Sequence, residues 1–553
     1  MDRPSSQAGI DLLRTPLLGR FLRWKHARTA AQVLLLVLAA LVLIDGFTGP
    51  PDGPRNVAGV APWIQYRGFV ALALLVVGNL FCFACPFMLP RRLAKRLLPA
   101  DRPWPTWLRS KWLAAALLVV FLWAYEAFSL WASPWLTAWL VGAYFAAAFV
   151  IDGFFRGAAF CKYVCPIGQF NFVNSLASPT EVAIRDAGVC ANCQTKDCIT
   201  GRYAPAGAVA PPARGAGLKP SERGRLVQNG CELWLFQPMK TGNMDCTFCL
   251  DCVHACPYDN VGVLARVPAR ELLSDPYRSG VGRFGQRPDL AALAVVLVFG
   301  AFANAGGMIG PAQALKDRIA GVLGTAAPAL VEGVVFLGAL VVLPWLVVGA
   351  AATATRALTR SETGGRESVV RTATRFAYGL VPVGFGMWVA HYLYHFLGSG
   401  LTLVPVLQQF FADRGAAVLG RPNWMLGGVV PAPWLEPIEI VILEAGLLVS
   451  LAVLWGIARR AYGRAARRAF APWAFVVLLL GAGGAWLLSQ PMQMRGMEMP
   501  GMEMPGMDMP QTQTPAMKMP PAQNPGTDVP DTEGQAAAAM SSATGDGRGG
   551  SPR

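Results

Sequence analysis

Four cysteines in the most polar part of the chain have the spacing of a cofactor-binding loop. The stretch CTFCLDCVHACP contains Cys246, Cys249, Cys252 and Cys256, with Pro257 directly after the last. Bacterial ferredoxins bind [4Fe–4S] clusters with this spacing, and in two-cluster ferredoxins the fourth cysteine ligates the other cluster. The stretch therefore predicts one iron–sulfur cluster and a second set of ligands elsewhere in the chain.

The stretch CANCQTKDC supplies the second set, with a wider last spacing than the first stretch has. Cys231 is the spare cysteine between the two stretches. We therefore predict two [4Fe–4S] clusters with crossed ligands. They are bound by Cys231, Cys246, Cys249 and Cys252, and by Cys190, Cys193, Cys198 and Cys256. A pair of structural zinc sites is the alternative.

Two further cysteine pairs each precede a proline. They are Cys82 and Cys85 in CFACP, and Cys161 and Cys165 in CKYVCP. The first pair lies at the end of the second long apolar run and the second pair lies just after the fourth, so the two occupy equivalent places in two helical hairpins. Their thiolates could hold a further cluster or form redox-active dithiols, and four buried apolar cysteines are the plain alternative.

The composition indicates that a membrane positions these cysteines. The 553 residues are 54% hydrophobic and only 15% charged, with a mean hydropathy of +0.40, whereas soluble domains carry about 25% charged residues. The formal net charge is +15, but the arginines cluster beside apolar runs. Membrane topology explains them better than a nucleic-acid partner does, so no nucleic acid is expected.

Nine apolar runs are long enough to span a bilayer as helices. They lie at residues 31–47, 68–87, 112–131, 136–155, 290–309, 330–352, 376–397, 438–457 and 473–488. Lys and Arg are concentrated in alternate connections, which predicts a multi-pass protein of the cell inner membrane with its N-terminus in the cytoplasm and its C-terminus in the periplasm.

The predicted fold is an all-α polytopic membrane protein with an inserted ferredoxin-like domain for two [4Fe–4S] clusters. Residues 1–30 form a basic cytoplasmic N-terminus, and residues 31–177 form a four-helix membrane region. Residues 178–287 form the cytoplasmic ferredoxin-like domain, and residues 288–489 form a five-helix membrane region. Residues 490–553 form a disordered periplasmic tail.

The membrane hairpins with Cys-Pro motifs and the two-cluster stretch resemble the membrane polyferredoxins of nitrate and nitrous-oxide respiration, the NapH and NosR type. They are also similar to the iron–sulfur assembly protein of cbb3-type oxidases. The resemblance covers residues 68–263, and the first motif has two residues between its cysteines where the family has three. It implies electron transfer between the quinone pool, or a cytoplasmic donor, and a periplasmic reductase.

The second membrane region contains candidate ionisable site residues. His391 and His395 lie four apart on one face of the seventh predicted span, where they could bind metal, haem or quinone, or simply pack at the interface. Glu444 is predicted deep in the eighth span. Intramembrane ionisable residues are functional candidates, so Glu444 and His391 form a candidate catalytic pair for quinol or protons.

The C-terminal tail contains five Met-x-Met pairs. They are Met492 and Met494, Met497 and Met499, Met502 and Met504, Met507 and Met509, and Met517 and Met519. Thioethers are soft ligands that suit Cu(I), so the tail is predicted to bind copper. The alternative is that the repeats are a low-complexity sequence in a disordered tail without a role in metal binding.

Two functional hypotheses follow. The first is a membrane iron–sulfur electron-transfer protein, a subunit that oxidises quinol or accepts electrons from a cytoplasmic donor. Its partners would be lipid, quinone and a redox protein such as a cytochrome or a respiratory reductase, for example the copper enzyme nitrous-oxide reductase. The second is a maturation factor that reduces copper and delivers Cu(I) to a cuproenzyme.

Overall fold

Long apolar helices make up most of the chain in the computed structural model, which describes residues 10–99, 101–204, 225–363, 367–416 and 418–492. Within these residues seven helical segments are long and apolar enough to cross a membrane. They are Ala27–Thr48, Val57–Val76, Pro134–Phe154, Pro288–Gly306, Pro328–Glu362, Val369–Ala412 and Ala432–Leu488. The predicted helical membrane architecture is confirmed at this level.

The two predicted spans that are missing from this set also correspond to helices. The segment Ala432–Leu488 consists of helices Leu435–Tyr462 and Ala466–Leu488, which are joined at Gly463. The third predicted span corresponds to the shorter apolar helix Trp112–Ala127. The segment Val369–Ala412 consists in the same way of three helices. They are Val369–Ala377, Val381–Ser399 and Leu403–Ala412.

The predicted second span, at residues 68–87, is wrong in its position. The helical segment is Val57–Val76, and a separate short helix, Leu80–Ala84, follows it. Gly78 between them has a φ of 104°, a conformation that ends a helix and that glycine adopts without strain. The N-terminal part was missed because it contains Arg67, whose charge is accommodated among the rings of Trp63, Tyr125 and Tyr392.

Shorter elements connect the long helices and form the polar segment. The main helices are Leu18–Arg23, Met88–Leu97, Pro166–Asn174, Ala187–Asn192, Asp197–Thr200, Asp251–Ala255, Arg270–Ser274 and Gly310–Leu323. The strands are β1 (Thr180–Ile184), β2 (Arg202–Tyr203), β3 (Leu226–Gln228) and β4 (Val261–Ala265). β2 and β3 form one antiparallel pair.

The antiparallel pair β1 and β4 encloses the segment that contains eight of the cysteines. Thr180 pairs with Ala265 and Ile184 pairs with Val261, so the chain leaves and re-enters the segment at neighbouring points. Cys190 follows β1 and Cys256 precedes β4. The pairing therefore brings the first and last cysteines of the segment together.

The polar segment packs directly on the helices. The Ser178 hydroxyl donates to the carbonyl of Leu74 across 2.6 Å, and Arg460 donates to the carbonyl of Leu273 across 2.9 Å. The described residues belong to a single compact unit. The predicted ferredoxin-like segment is thus held against the helix bundle by hydrogen bonds from side chains to backbone carbonyls.

Candidate functional site

The loop around Cys246 has a backbone that suits a negatively charged cofactor. Asp245, Phe248 and Leu250 all have positive φ values, between 52° and 61°, although none of them is glycine. Alternation of left-handed and right-handed residues turns successive N–H groups toward one point, a geometry found at iron–sulfur sites. The ferredoxin spacing and the loop conformation therefore agree.

The first group of thiols combines this loop with Cys231. Burial, and then the nearby thiols of Cys249, Cys231 and Cys246, raise the pKa of the Cys252 thiol well above its usual value. The Leu235 backbone N–H donates to the Cys231 sulfur across 3.4 Å. The structure thus brings together the four cysteines predicted for one cluster.

The second group of thiols lines a cavity of about 390 Å³, part of it open to solvent, and consists of Cys190, Cys193, Cys198 and Cys256. The Asn260 side-chain amide donates to the Cys190 sulfur across 3.2 Å, and the Asn260 backbone N–H donates to the Cys256 sulfur across 3.4 Å. Asn260 therefore contacts the sulfurs of both Cys190 and Cys256, which come from opposite ends of the cysteine-containing segment. Burial, and then the other three thiols, raise the pKa of Cys198 to about 11, although a backbone hydrogen bond opposes this.

The third group of thiols consists of the four cysteines of the two Cys-Pro motifs, which are Cys82, Cys85, Cys161 and Cys165. Burial, and then the thiols of Cys85, Cys161 and Cys165, raise the pKa of Cys82. The Gly168 N–H donates to the Cys165 sulfur across 3.3 Å, because Cys165 caps the helix that begins at Pro166. The structure therefore brings the paired motifs together, as predicted from their equivalent positions.

Two hydrogen bonds link the three groups in a row. The side chain of Asn79, three residues before Cys82, donates to the Cys246 carbonyl across 2.9 Å, which joins the third group to the first. The Cys231 N–H donates to the Cys198 carbonyl across 3.0 Å, which joins the first group to the second. The first group therefore lies between the other two.

Three ion pairs, one fully buried and two partly buried, fasten the first group to residues of the helical part. Lys111 lies 2.7 Å from Asp245, which precedes Cys246. Two arginines make the same kind of contact: Arg28 lies 3.1 Å from Asp251, which precedes Cys252, and Arg91 lies 2.7 Å from Glu232, which follows Cys231. Each of these acids is adjacent in sequence to a cysteine of the first group. The ion pairs therefore hold the proposed ligand loops in position relative to the helices.

The pKa of the Glu232 carboxylate shows how strongly the neighbouring positive charges act. Burial alone would raise its pKa, but Arg91, Lys95 and Arg28 together hold the pKa at about 2. Arg91 also lies 3.3 Å from Asp152, at the end of a candidate span. Positive charge is thus concentrated between the first and third thiol groups, where it would favour thiolate ligands.

The donor set fits iron–sulfur clusters in its chemistry. Buried and half-buried thiols occur in three sets of four, and backbone N–H groups point at the sulfurs of Cys165, Cys231 and Cys256. Within the described ranges, no three His, Cys, Asp or Glu side chains lie close enough together to hold a single metal ion.

The candidate histidines lie in helix Val381–Ser399, and the candidate glutamate lies in helix Leu435–Tyr462. His391 is buried and His395 half-buried, with their ring centroids 5.0 Å apart. Helices Val381–Ser399 and Leu435–Tyr462 pack in antiparallel fashion, with the Val383 N–H donating to the Ser450 hydroxyl. This pairing places both Glu439, which is buried, and Glu444 within about one helical turn of the level of His391. The predicted pairing of Glu444 with His391 therefore stays a prediction.

Only the start of the methionine tail lies in the described part of the chain. Met492 is half-buried, packs against the main core and forms an isolated bridge with Ile309. The remaining methionines of the predicted copper site, Met494 to Met519, lie outside the described residues.

Sequence reasoning missed a large apolar cavity beside the third thiol group. Tyr66, Arg67 and Tyr144 contribute to its lining, and so do Pro86 and Pro166, which directly follow Cys85 and Cys165. The signal available in the sequence was Arg67, a charge within an apolar run, since such residues are functional candidates. It was overlooked because the predicted span began after it.

No family model, curated protein or solved structure matches the chain.

Proposed function

We propose that this protein is a membrane iron–sulfur electron-transfer protein that links the quinone pool or a cytoplasmic donor to a respiratory reductase. One [4Fe–4S] cluster would be held by Cys231, Cys246, Cys249 and Cys252, and the other by Cys190, Cys193, Cys198 and Cys256. When bound, such clusters accept and donate single electrons. The third thiol group would hold a further cluster or act as a dithiol pair.

The observation that carries the proposal is the linear order of the three thiol groups. Asn79, three residues before Cys82, donates to the Cys246 carbonyl, and the backbone of Cys231 is hydrogen bonded to that of Cys198. Neighbouring redox centres joined by short hydrogen-bonded paths suit electron transfer. The order leads from the polar segment to the ends of the candidate membrane helices.

The residues of the chain would do two things for such cofactors. Backbone N–H groups and Asn260 donate hydrogen bonds to the sulfurs, which stabilises thiolates and raises cluster potentials. The ion pairs of Lys111, Arg28 and Arg91 hold the ligand loops in place. The arginine distribution supports a cytoplasmic location for residues 178–287 in an inner-membrane protein.

Anaerobic purification with metal and acid-labile sulfide analysis tests the proposal. Two clusters require about eight iron atoms and about eight sulfides per chain, and a third cluster raises both numbers to about twelve. Dithionite should bleach the visible absorption and produce an electron paramagnetic resonance signal from reduced clusters. Zinc in place of iron, or the absence of sulfide, would overturn the proposal.

A matched pair of variants locates the first cluster. Cys252→Ser should lower the iron content by about four atoms. Thr247→Ser lies in the same loop and changes a side chain that is not a proposed ligand, so its iron content should match that of the unaltered protein.

A further inference from the structure

One cavity in the described part of the chain is enclosed mainly by candidate membrane helices. It comprises about 1270 Å³ of space, part of which is open to the surroundings. Its apolar lining includes Leu38, Val42, Leu118, Leu122 and Val141. These residues come from three helices within the bundle. A ligand of this cavity must therefore be largely apolar.

Two tyrosine hydroxyls in the lining have no hydrogen-bond partner. The hydroxyls of Tyr66 and Tyr144 are both buried from solvent and unpaired among the described residues. A buried hydroxyl without a partner is costly. The two hydroxyls therefore provide donors for a ligand that carries oxygen atoms within an otherwise apolar body.

A guanidinium group lies in the same wall. Arg67 is surrounded by the rings of Trp63, Tyr125 and Tyr392, whose centroids lie 4.5–5.2 Å from its carbon atom Cζ, and it donates to the Tyr125 hydroxyl across 3.1 Å. This positive charge favours electron-rich oxygen atoms in the cavity. Residues Ala61–Tyr66 also form a π-helical turn, an irregularity that is frequent at functional sites.

The polar end of the cavity adjoins the third thiol group. Tyr66 is close enough to Cys82, Cys85 and Cys165 to interact with them electrostatically, and Tyr144 interacts in the same way with Cys165. A ligand head bound by these hydroxyls would therefore lie next to the membrane end of the row of thiol groups.

We infer that this cavity binds the head group of a quinone, with Tyr66 and Tyr144 donating hydrogen bonds to its oxygen atoms. A quinone combines an apolar ring and tail with two ring oxygens, which matches apolar walls that contain two unpaired donors and one cation. The inference rests on the proposed function and specifies where its lipid-soluble redox partner binds. Neither His391 nor Glu444 is among the residues that line this cavity.

The test uses the full-length protein, purified anaerobically, with decylubiquinone as the probe. Trp63 and Trp388 line the cavity, so binding should quench part of the tryptophan fluorescence in a saturable way. The double variant Tyr66→Phe/Tyr144→Phe keeps the shape and removes both hydroxyls. Its affinity should fall about tenfold, as expected for the loss of two hydrogen bonds.

Two further variants complete the test. Val141→Trp fills the cavity and should abolish saturable quenching. Tyr163→Phe serves as the matched control because Tyr163 stacks on Trp104 outside the cavity, and its affinity should be unchanged. Equal affinity of the double variant and the unaltered protein would overturn the inference, and so would a cavity occupied by phospholipid that decylubiquinone does not displace.

Iron content measured on the same samples separates this inference from the proposed function. Full iron with no quinone binding would overturn the inference alone. Saturable, hydroxyl-dependent binding to iron-free protein would support the quinone site and overturn the electron-transfer proposal.

Discussion

The side-chain amide of Asn79 donates a hydrogen bond to the backbone carbonyl of Cys246 across 2.9 Å, although the two residues are 167 positions apart in the sequence. Asn79 follows the membrane-type helix Val57–Val76, whereas Cys246 begins the ferredoxin-like loop. The contact is fully buried. The position of the loop relative to the helices therefore depends partly on one amide group.

Replacement of this amide should loosen the first proposed cluster. Asn79→Ala leaves the Cys246 carbonyl buried without its partner, at a cost of about 1–3 kcal/mol. We expect faster iron release when the anaerobic protein is exposed to a chelator. Asn423→Ala removes an exposed amide far from the thiols and should leave the release rate unchanged. Equal rates for the two variants would contradict a positioning role for Asn79.

Cys256 is expected to share a cluster with Cys190, because Asn260 contacts both sulfurs. Cys190→Ser and Cys256→Ser should each remove about four iron atoms, and the double variant should remove no more. Combination of Cys256→Ser with Cys252→Ser should remove about eight. A loss of only about four from this combination would show that Cys252 and Cys256 serve one cluster, against the crossed assignment.

The cysteine groups could be predicted because their geometry is mostly local. Short spacings bring Cys246, Cys249 and Cys252 to one loop regardless of the rest of the fold, and the crossed role of Cys256 follows from the ferredoxin pattern. The long helices could be predicted because hydropathy alone dictates them. The exception was the helix containing Arg67, since burial of its charge depends on aromatic rings from other helices.

The remaining features depend on contacts between distant parts of the chain. Lys111 and Asp245 are 134 residues apart, and nothing in either local sequence indicates that they pair. The cavity beside Tyr66 and Tyr144 is enclosed by several helices, so its existence depends on how they pack. The sequence supplies the residues of such features but not their juxtaposition.

The Lys111–Asp245 pair is expected to contribute strongly to stability. Both side chains are almost fully buried, and loss of one partner from a buried ion pair costs about 3–5 kcal/mol. Lys162, 3.8 Å from Asp245, would offset part of that loss. Lys111→Met should lower the midpoint of thermal unfolding in detergent, followed by intrinsic fluorescence.

Two comparisons make that measurement specific to the ion pair. Lys111→Met combined with Asp245→Asn removes both charges, so the midpoint should recover in part. Lys25→Met alters an exposed lysine and should shift stability by less than about 0.5 kcal/mol. A double variant less stable than Lys111→Met alone would show that the buried charge of Asp245 is not the cause of the loss.

Gly78 connects the end of helix Val57–Val76 to the first Cys-Pro motif, and its replacement should disturb both sides of the connection. Its φ of 104° is strained for any other residue. A Cβ atom there would lie 2.9 Å from the Thr180 hydroxyl and 3.0 Å from the ring of Phe248, the residue before Cys249. Gly78→Ala is therefore expected to destabilise the protein by about 1–3 kcal/mol.

The matched control is Gly142→Ala, in the middle of helix Pro134–Phe154, where a Cβ atom would meet no atom within 4 Å. Alanine is the better helix former by about 1 kcal/mol, so this variant should be neutral or slightly more stable. Thermal midpoints and iron content of the two variants measure the difference. Because Phe248 lies within the first ligand loop, Gly78→Ala should also lower the iron content. An iron content equal to that of Gly142→Ala would show that the loop tolerates displacement of Phe248.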